Sequence, residues 1–278
     1  MNKTQLFAKL KKELNITKFI PIAGLSNDNY LLDNKYVLKI SYDNHFPLCT
    51  DYILLDSAYD KNLGVKILKE YSTPFYQLSY YQENLKSIPE KNLTFEQLDK
   101  IIIGIKQFHS LPHSNLRKIS IKELCKEFLI FSHSKAFGFL DIFVDLPEND
   151  IVPLHFDLVN ANILFNKNNN VKIIDYDLSI LGPSYLDIVS LLSENYFSQD
   201  QENYIIENYF STEKEIEEFK KNYPIYRYYF DLLWSIWAKA RKEKAPKEKK
   251  KIFEEIEKEK FNRTNKRSEE RRVGKECR

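Results

Sequence analysis

The chain has 278 residues, 42 basic and 40 acidic side chains and a formal net charge of +2, so nothing in its charge favours binding nucleic acid. Its 43% hydrophobic content is that of a globular protein long enough for two lobes, and no apolar run reaches membrane-spanning length. Cys49, Cys125 and Cys277 form neither a C-x-x-C nor a disulfide framework, and Met1 to Lys18 lacks the uncharged core of a signal peptide, which points to a cytoplasmic protein without membrane insertion.

Thr4 to Leu14 reads as an amphipathic helix with Leu6, Phe7, Leu10 and Leu14 on one side. Strands follow around 18–22, 30–32 and 36–40. Between the first two lies a turn of small and polar residues, including Gly24, Ser26, Asn27 and Asn29, whose backbone N–H groups can face an anion. Lys39 falls on the third strand, whereas Lys35 sits at the hairpin turn with Asp33 and Asn34. A helix over 52–63 precedes strands over 65–71 and 74–81.

From Thr94 the pattern turns helical. Thr94-x-x-Gln97 is a capping box, and Leu98, Ile101, Ile102, Ile105 and Phe108 recur at helical spacing. His109 and His113 are spaced as a metal pair would be, but Pro112 interrupts the helix between them, so both are read as helix-end caps. Ser120-x-x-Glu123 opens another helix. Four helical stretches over 184–197, 199–209, 212–222 and 225–242 come later, and Pro246 separates the last from a charged helix over 247–261.

Two motifs lie between these helices. His155-Phe156-Asp157-Leu158-Val159-Asn160-Ala161-Asn162 is an H-x-D-x-x-x-x-N, and Ile173-Ile174-Asp175-Tyr176-Asp177 is an apolar strand ending in D-x-D. Ile163 to Phe165 and Val171 to Ile174 read as the arms of a hairpin around the polar turn 166–170, which sets Asn162 beside Asp175. Phosphoryl transfer asks mainly for positioning and charge neutralisation. Asp157 suits the carboxylate that faces an acceptor hydroxyl. Asn162 and Asp175 suit magnesium, which takes oxygen ligands, with Asp177 as a further ligand. The absence of a Cys/His cluster speaks against zinc at His155, and the likeness to other motifs of this type implies a structural histidine packed beneath the loop and bonded to backbone.

At these residues the chain resembles the choline/ethanolamine kinase family, within the aminoglycoside phosphotransferase and protein-kinase-like superfamily, and bacterial choline kinases in particular. The resemblance spans roughly residues 15–245. It implies an α+β, bilobal fold: a small β-rich N-lobe over 1–83, a mainly helical C-lobe over 84–262, and a tail over 263–278. It implies ATP and Mg2+ as cofactors, with Gly24, Ser26, Asn27, Asn29 and Lys39 at the phosphates. The segment after Ile40 offers Asp51 and Asp56 but no Glu before Glu70, and Asp51 is taken to stand for the usual glutamate partner of that lysine. Asp187 would brace the catalytic loop.

Trp234 and Trp237 share one helix face and resemble a choline-site helix; they read as a cation–π cage, joined by Tyr185, or as core filler. Asp177 replaces a customary glutamate, and Leu178, Ile180 and Leu181 replace customary aromatics. The expected activity is transfer of a γ-phosphate to a small-molecule alcohol, choline first. Ethanolamine, an aminoglycoside or a thiamine-type alcohol are alternatives, as is a non-catalytic nucleotide-binding pseudokinase. Residues 267–278 resemble the translation of a sequencing adaptor and are read as an artefact or a disordered end.

Overall fold

Five helices start at capping boxes, in which an N-cap side chain and the third helical residue exchange hydrogen bonds with each other's backbone. The pairs are Asn2/Gln5, Thr94/Gln97, Ser120/Glu123, Ser198/Gln201 and Thr212/Glu215. They open α1 (Lys3–Leu14), α3 (Phe95–His109), α4 (Ile121–Phe131), α6 (Gln199–Tyr209) and α7 (Glu213–Lys244). The others are α2 (Tyr52–Asp60), α5 (Tyr185–Glu194) and α8 (Lys247–Glu276). The computed structural model describes residues 1–41, 43–89, 93–134, 138–144 and 146–276, with backbone alone for residue 139 and beyond residue 265.

The N-terminal part is an antiparallel sheet ordered β1 (Phe19–Ile22), β2 (Asp28–Leu32), β3 (Tyr36–Ile40) and β4 (Tyr76–Tyr80). Asp33 and Asn34 both take positive φ, 46° and 54°, in the tight turn joining β2 to β3. Such a turn matches the twist of its strands, and Asn and Asp tolerate it. The Asp33 carboxylate also accepts from the backbone N–H groups of Thr17 and Lys18 at 2.9 and 2.7 Å, which anchors the entry to β1. Leu6 and Leu10 of α1 pack on Leu32, Leu38 and Leu78 of the sheet. The register sets Lys39 opposite Asn29, so the lysine and the end of the polar loop are neighbours.

The strand expected over 65–71 is not formed. Ile67 makes a single bridge to Ser79, and Lys69–Tyr71 is a short 3-10 turn. Ile67 and Leu68 are both buried, and consecutive residues of a strand cannot both face the core.

The C-terminal part is mainly helical. Strands β7 (Ile163–Phe165) and β8 (Val171–Ile173) form the expected hairpin, with β5 (Lys86–Ser87) at its edge. A second pair, β6 (Ile151–Leu154) with β9 (Ile180–Pro183), encloses both motifs; it was not anticipated, because a Pro-containing tetrapeptide carries almost no strand signal. The helices expected over 212–222 and 225–242 are one helix, α7, with Pro224 inside it. Proline deletes one helical hydrogen bond, and packing against α4, α5 and α8 outweighs that loss. The helix expected to end at 261 continues, as α8, to Glu276. Cys277 lies outside the described residues, and Cys49 and Cys125 are free thiols. Among the described residues no helix is long and apolar enough to cross a membrane.

Asp51 does not partner Lys39. It is the N-cap of α2, and its carboxylate accepts from Leu54 N at 3.1 Å, Ser114 N and Asn115 N at 2.8 Å, and Ser114 Oγ at 3.0 Å. Four donors saturate this 1%-exposed carboxylate, which therefore ties α2 to the segment after α3. Replacing it would orphan three backbone N–H groups. Asp51→Ala should lower stability by roughly 3 kcal/mol or more in urea unfolding. The Asp51 carboxyl is held below the usual carboxylate range: burial opposes this, and the Asn115, Ser114 and Leu54 N–H groups outweigh it. Its contribution is therefore present above its unfolded pKa and fades as pH falls through its folded value.

Candidate active site

The H-x-D-x-x-x-x-N segment is a loop held from below. His155 is fully buried. Its Nε2–H donates to Ile174 O at 2.8 Å, and its Nδ1 accepts from Asp157 N at 3.3 Å, which defines a neutral tautomer. Burial lowers the pKa of this ring and keeps it neutral. Asp187, at the start of α5, accepts from His155 N at 2.9 Å and Phe156 N at 2.7 Å. His109 does not cap its helix; its Nε2 meets Asp187 at 2.9 Å and its Nδ1 meets the Tyr209 hydroxyl at 3.0 Å. His113 Nδ1 lies 3.3 Å from Leu111 O, and the two histidines share no metal geometry. Ser190 Oγ accepts from Leu158 N at 3.0 Å, completing the support.

Above this support Asn162 Nδ2 donates to Asp157 O and Oδ2, both at 2.9 Å, so the amide nitrogen faces Asp157 and its oxygen is left for another partner. Ile174 N donates to Asn162 O at 3.0 Å, which sets Asn162 beside the D-x-D strand end. Asp175 takes φ 69°, unusual for a non-glycine residue and of a kind that concentrates at functional sites.

Lys39 Nζ lies 2.8 Å from Asp175 Oδ1 and 2.9 Å from Asp177 Oδ2. Asn27 Nδ2 also reaches Asp177 Oδ2 at 3.2 Å, and Cys49 N donates to Asp177 Oδ1 at 3.1 Å. The lysine therefore bridges both carboxylates of the D-x-D, in place of the Asp51 pairing expected from sequence. Gly24 lets the loop fold tightly: a Cβ there would come within 2.4 Å of Asn29 Nδ2 and 2.8 Å of Asn27 O. Asn29 Nδ2 braces the same turn through Ala23 O at 3.2 Å, and Ser26 O is turned toward Arg241.

The carboxylates do not titrate alike. Burial, then the charge of Asp175, pushes Asp157 up to about 7. Burial also pushes Asp177 up, to about 6, against the pull of Lys39. Asp175 goes the other way: burial would raise it, but the Lys39 ammonium holds it below the usual range. Neighbouring carboxyls of this site therefore differ in their affinity for a proton. Among the described residues no three His, Cys, Asp or Glu side chains converge as a metal cluster. The oxygen donors here are two carboxylates and the Asn162 amide, and the ammonium already seated between the carboxylates shows that they favour a cation.

Trp234 and Trp237 do not form an open cage. They are 5% and 9% exposed and meet edge to face, with centroids 5.5 Å apart. Trp234 packs on Phe156 of the loop and Trp237 on Phe253 of α8. The cation near Trp237 is the chain's own Arg241, whose guanidinium carbon is 5.9 Å from that ring and 4.4 Å from Phe46. Tyr185 does not join them. It stacks on Tyr226 at 4.7 Å and donates to Pro147 O at 3.0 Å, lining a separate cavity of about 250 Å³. Tyr226 precedes Trp237 by eleven residues on α7, roughly 16 Å along the axis. Arg241 went unread in the sequence, although it follows Trp237 by one helical turn and so shares its face.

A carboxyl that ionises near 3.8 when unfolded and near 7 when folded binds more protons in the folded state across that window. Its ionisation then costs stability as pH rises from about 4 to 7. Asp157→Asn keeps the acceptor for Asn162 and removes that cost. The Tm difference, variant minus wild type, should be positive at pH 8 and shrink toward pH 4 in thermal unfolding.

No family model and no curated protein matches the chain. Among solved structures it is similar to the choline kinase LicA from Streptococcus pneumoniae, at 17% identity and a TM-score of 0.73, covering 95% of this chain and 98% of that one. It is also similar to a choline/ethanolamine kinase family protein from Mesorhizobium loti, at 16% identity and a TM-score of 0.68, covering 96% and 95%. The streptomycin–ATP–APH(2")-IIa ternary complex aligns at 15% identity and a TM-score of 0.60, covering 85% and 91%. The chain thus has the bilobal α+β, protein-kinase-like fold of choline/ethanolamine kinases and aminoglycoside phosphotransferases.

Proposed function

We propose that this chain is an ATP-dependent kinase that moves the γ-phosphate to the hydroxyl of a small amino alcohol, choline first. The observation that carries the reading is the meeting of Lys39 with Asp175 and Asp177, next to the Asp157–Asn162 pair. Asp157 orients the acceptor hydroxyl and takes its proton, a role suited to a carboxyl pushed up to about 7. Lys39 and the N–H groups of the 24–29 loop hold phosphate oxygens. Asp175, Asp177 and the Asn162 amide oxygen hold Mg2+, which, when bound, neutralises charge on the terminal phosphates. The intact acid set speaks against a pseudokinase, and cytoplasmic ATP suits the reading.

Arg241 beside Trp237 and Phe46 favours a second acceptor reading. Trp237, one of the rings that would take a trimethylammonium, already has a cation beside it. An acceptor without a quaternary nitrogen, recognised through hydroxyl and primary amine groups, such as ethanolamine or an aminoglycoside, needs no such face.

ADP release from Mg-ATP should appear with one of choline, ethanolamine, an aminoglycoside or thiamine, and Asp157→Ala and Asp175→Ala should each lower kcat about a thousandfold or more. Silence across the panel, or near-wild-type turnover in either variant, would sink the reading. The kcat/KM profile should rise with pH through an acidic limb near 7 as Asp157 ionises, and a limb near 4 would show that this carboxyl ionises in its ordinary range.

A further inference from the structure

The loop that faces the nucleotide is gripped from the far end of the chain. Arg241 of α7 is 2% exposed and donates from Nη2 to Ser26 O. Its guanidinium is fixed against Phe46 and Trp237, at 4.4 and 5.9 Å. Lys249 of α8 donates from Nζ to Asn27 O at 3.0 Å and lies 3.6 Å from Asp28 Oδ1. Asn27, 5% exposed, then reaches down to Asp177. Two successive carbonyls of the loop thus point at two cations of the C-terminal helix pair.

A peptide unit is planar and trans, so its C=O and the next residue's N–H point in opposite directions. Holding Ser26 C=O toward α7 turns the Asn27 N–H away from α7. A phosphate is attracted by N–H groups and repelled by carbonyl lone pairs. Fixing the carbonyls on cations removes the repulsive orientation and adds positive potential behind the loop.

We propose that Arg241 and Lys249 are positioning residues for the terminal phosphates of the nucleotide. Helices α7 and α8 hold the 24–29 loop over the Lys39–Asp175–Asp177 cluster, and so set the preference of the cleft for ATP and ADP over AMP. The inference rests on the proposed nucleotide site. It also gives α7 a second task, since the helix that packs Trp234 on the Asp157 loop reaches the phosphate loop two turns further on.

The test is calorimetric titration of the full chain with ATP, ADP and AMP in the presence of magnesium, for wild type, Arg241→Met, Arg241→Lys and Lys249→Met. Each methionine variant should weaken ATP and ADP about tenfold, the size of one hydrogen bond from a charged donor, and AMP by less than about twofold. Arg241→Lys should recover part of the loss. A fold defect would weaken all three nucleotides together, and that result overturns the proposal. If Arg241→Met does not fold, Lys249→Met decides alone, because that ammonium sits nearer the surface. Unchanged ATP affinity in Lys249→Met, and in Arg241→Met where it folds, with wild type binding normally, overturns this inference and leaves the kinase reading standing. A wild-type chain that binds no nucleotide overturns both.

Discussion

One buried carboxylate organises the centre of this molecule. Asp187 is 1% exposed and collects His155 N, Phe156 N and His109 Nε2. A buried anion requires such donors, and two backbone N–H groups from consecutive residues can reach one carboxylate only if the chain turns sharply. Phe156 supplies the turn at φ 68°, an uncomfortable value for a large side chain. Strain and anion burial are stabilised together, because each makes the other's geometry necessary. His155, Asp157 and Asn162 take their places on that turn, and the Ile174 N–H bond to Asn162 O carries the arrangement over to the D-x-D end.

Electrostatics follow from crowding acids into one cleft with one ammonium. Lys39 lies within hydrogen-bonding distance of two carboxylates and of neither oxygen of Asp157. The acids therefore separate: Asp175 stays ionised, while Asp177 and Asp157 are pushed up to about 6 and 7. The cleft in this state is short of positive charge.

The C-terminal helices touch both the Asp157 loop and the loop between β1 and β2. α7 packs Trp234 on Phe156 and sends Arg241 to the Ser26 carbonyl, and α8 sends Lys249 to Asn27. Lys260 of α8 closes on Glu194 at 2.6 Å, and that glutamate adds to the negative field felt by Asp157. The loop between β1 and β2, the Asp157 loop and the helix pair are therefore positioned as one set of contacts. Trp237, one of the aromatic residues expected to receive a ligand cation, instead seats, with Phe46, the arginine that joins two of these parts.

Much of this was legible locally. The capping boxes at Thr94 and Ser120, the hairpin after Asn162 and the strand bearing Lys39 lie in short windows where polar caps and apolar periodicity speak directly. Local signals failed at Leu68, where two successive residues are buried, and at Pro224, where packing of α7 on its neighbours outweighs the proline. The sequence by itself determined which residue types were available for phosphoryl chemistry and how far apart they lie along the chain. Only the tertiary structure decided who pairs with whom: Lys39 with Asp175 across 136 positions, Arg241 with Ser26 across 215, Lys249 with Asn27 across 222. Such partners leave no periodic trace in the chain, because hydrogen bonds and ion pairs depend on distance in space and the sequence records distance only along the backbone.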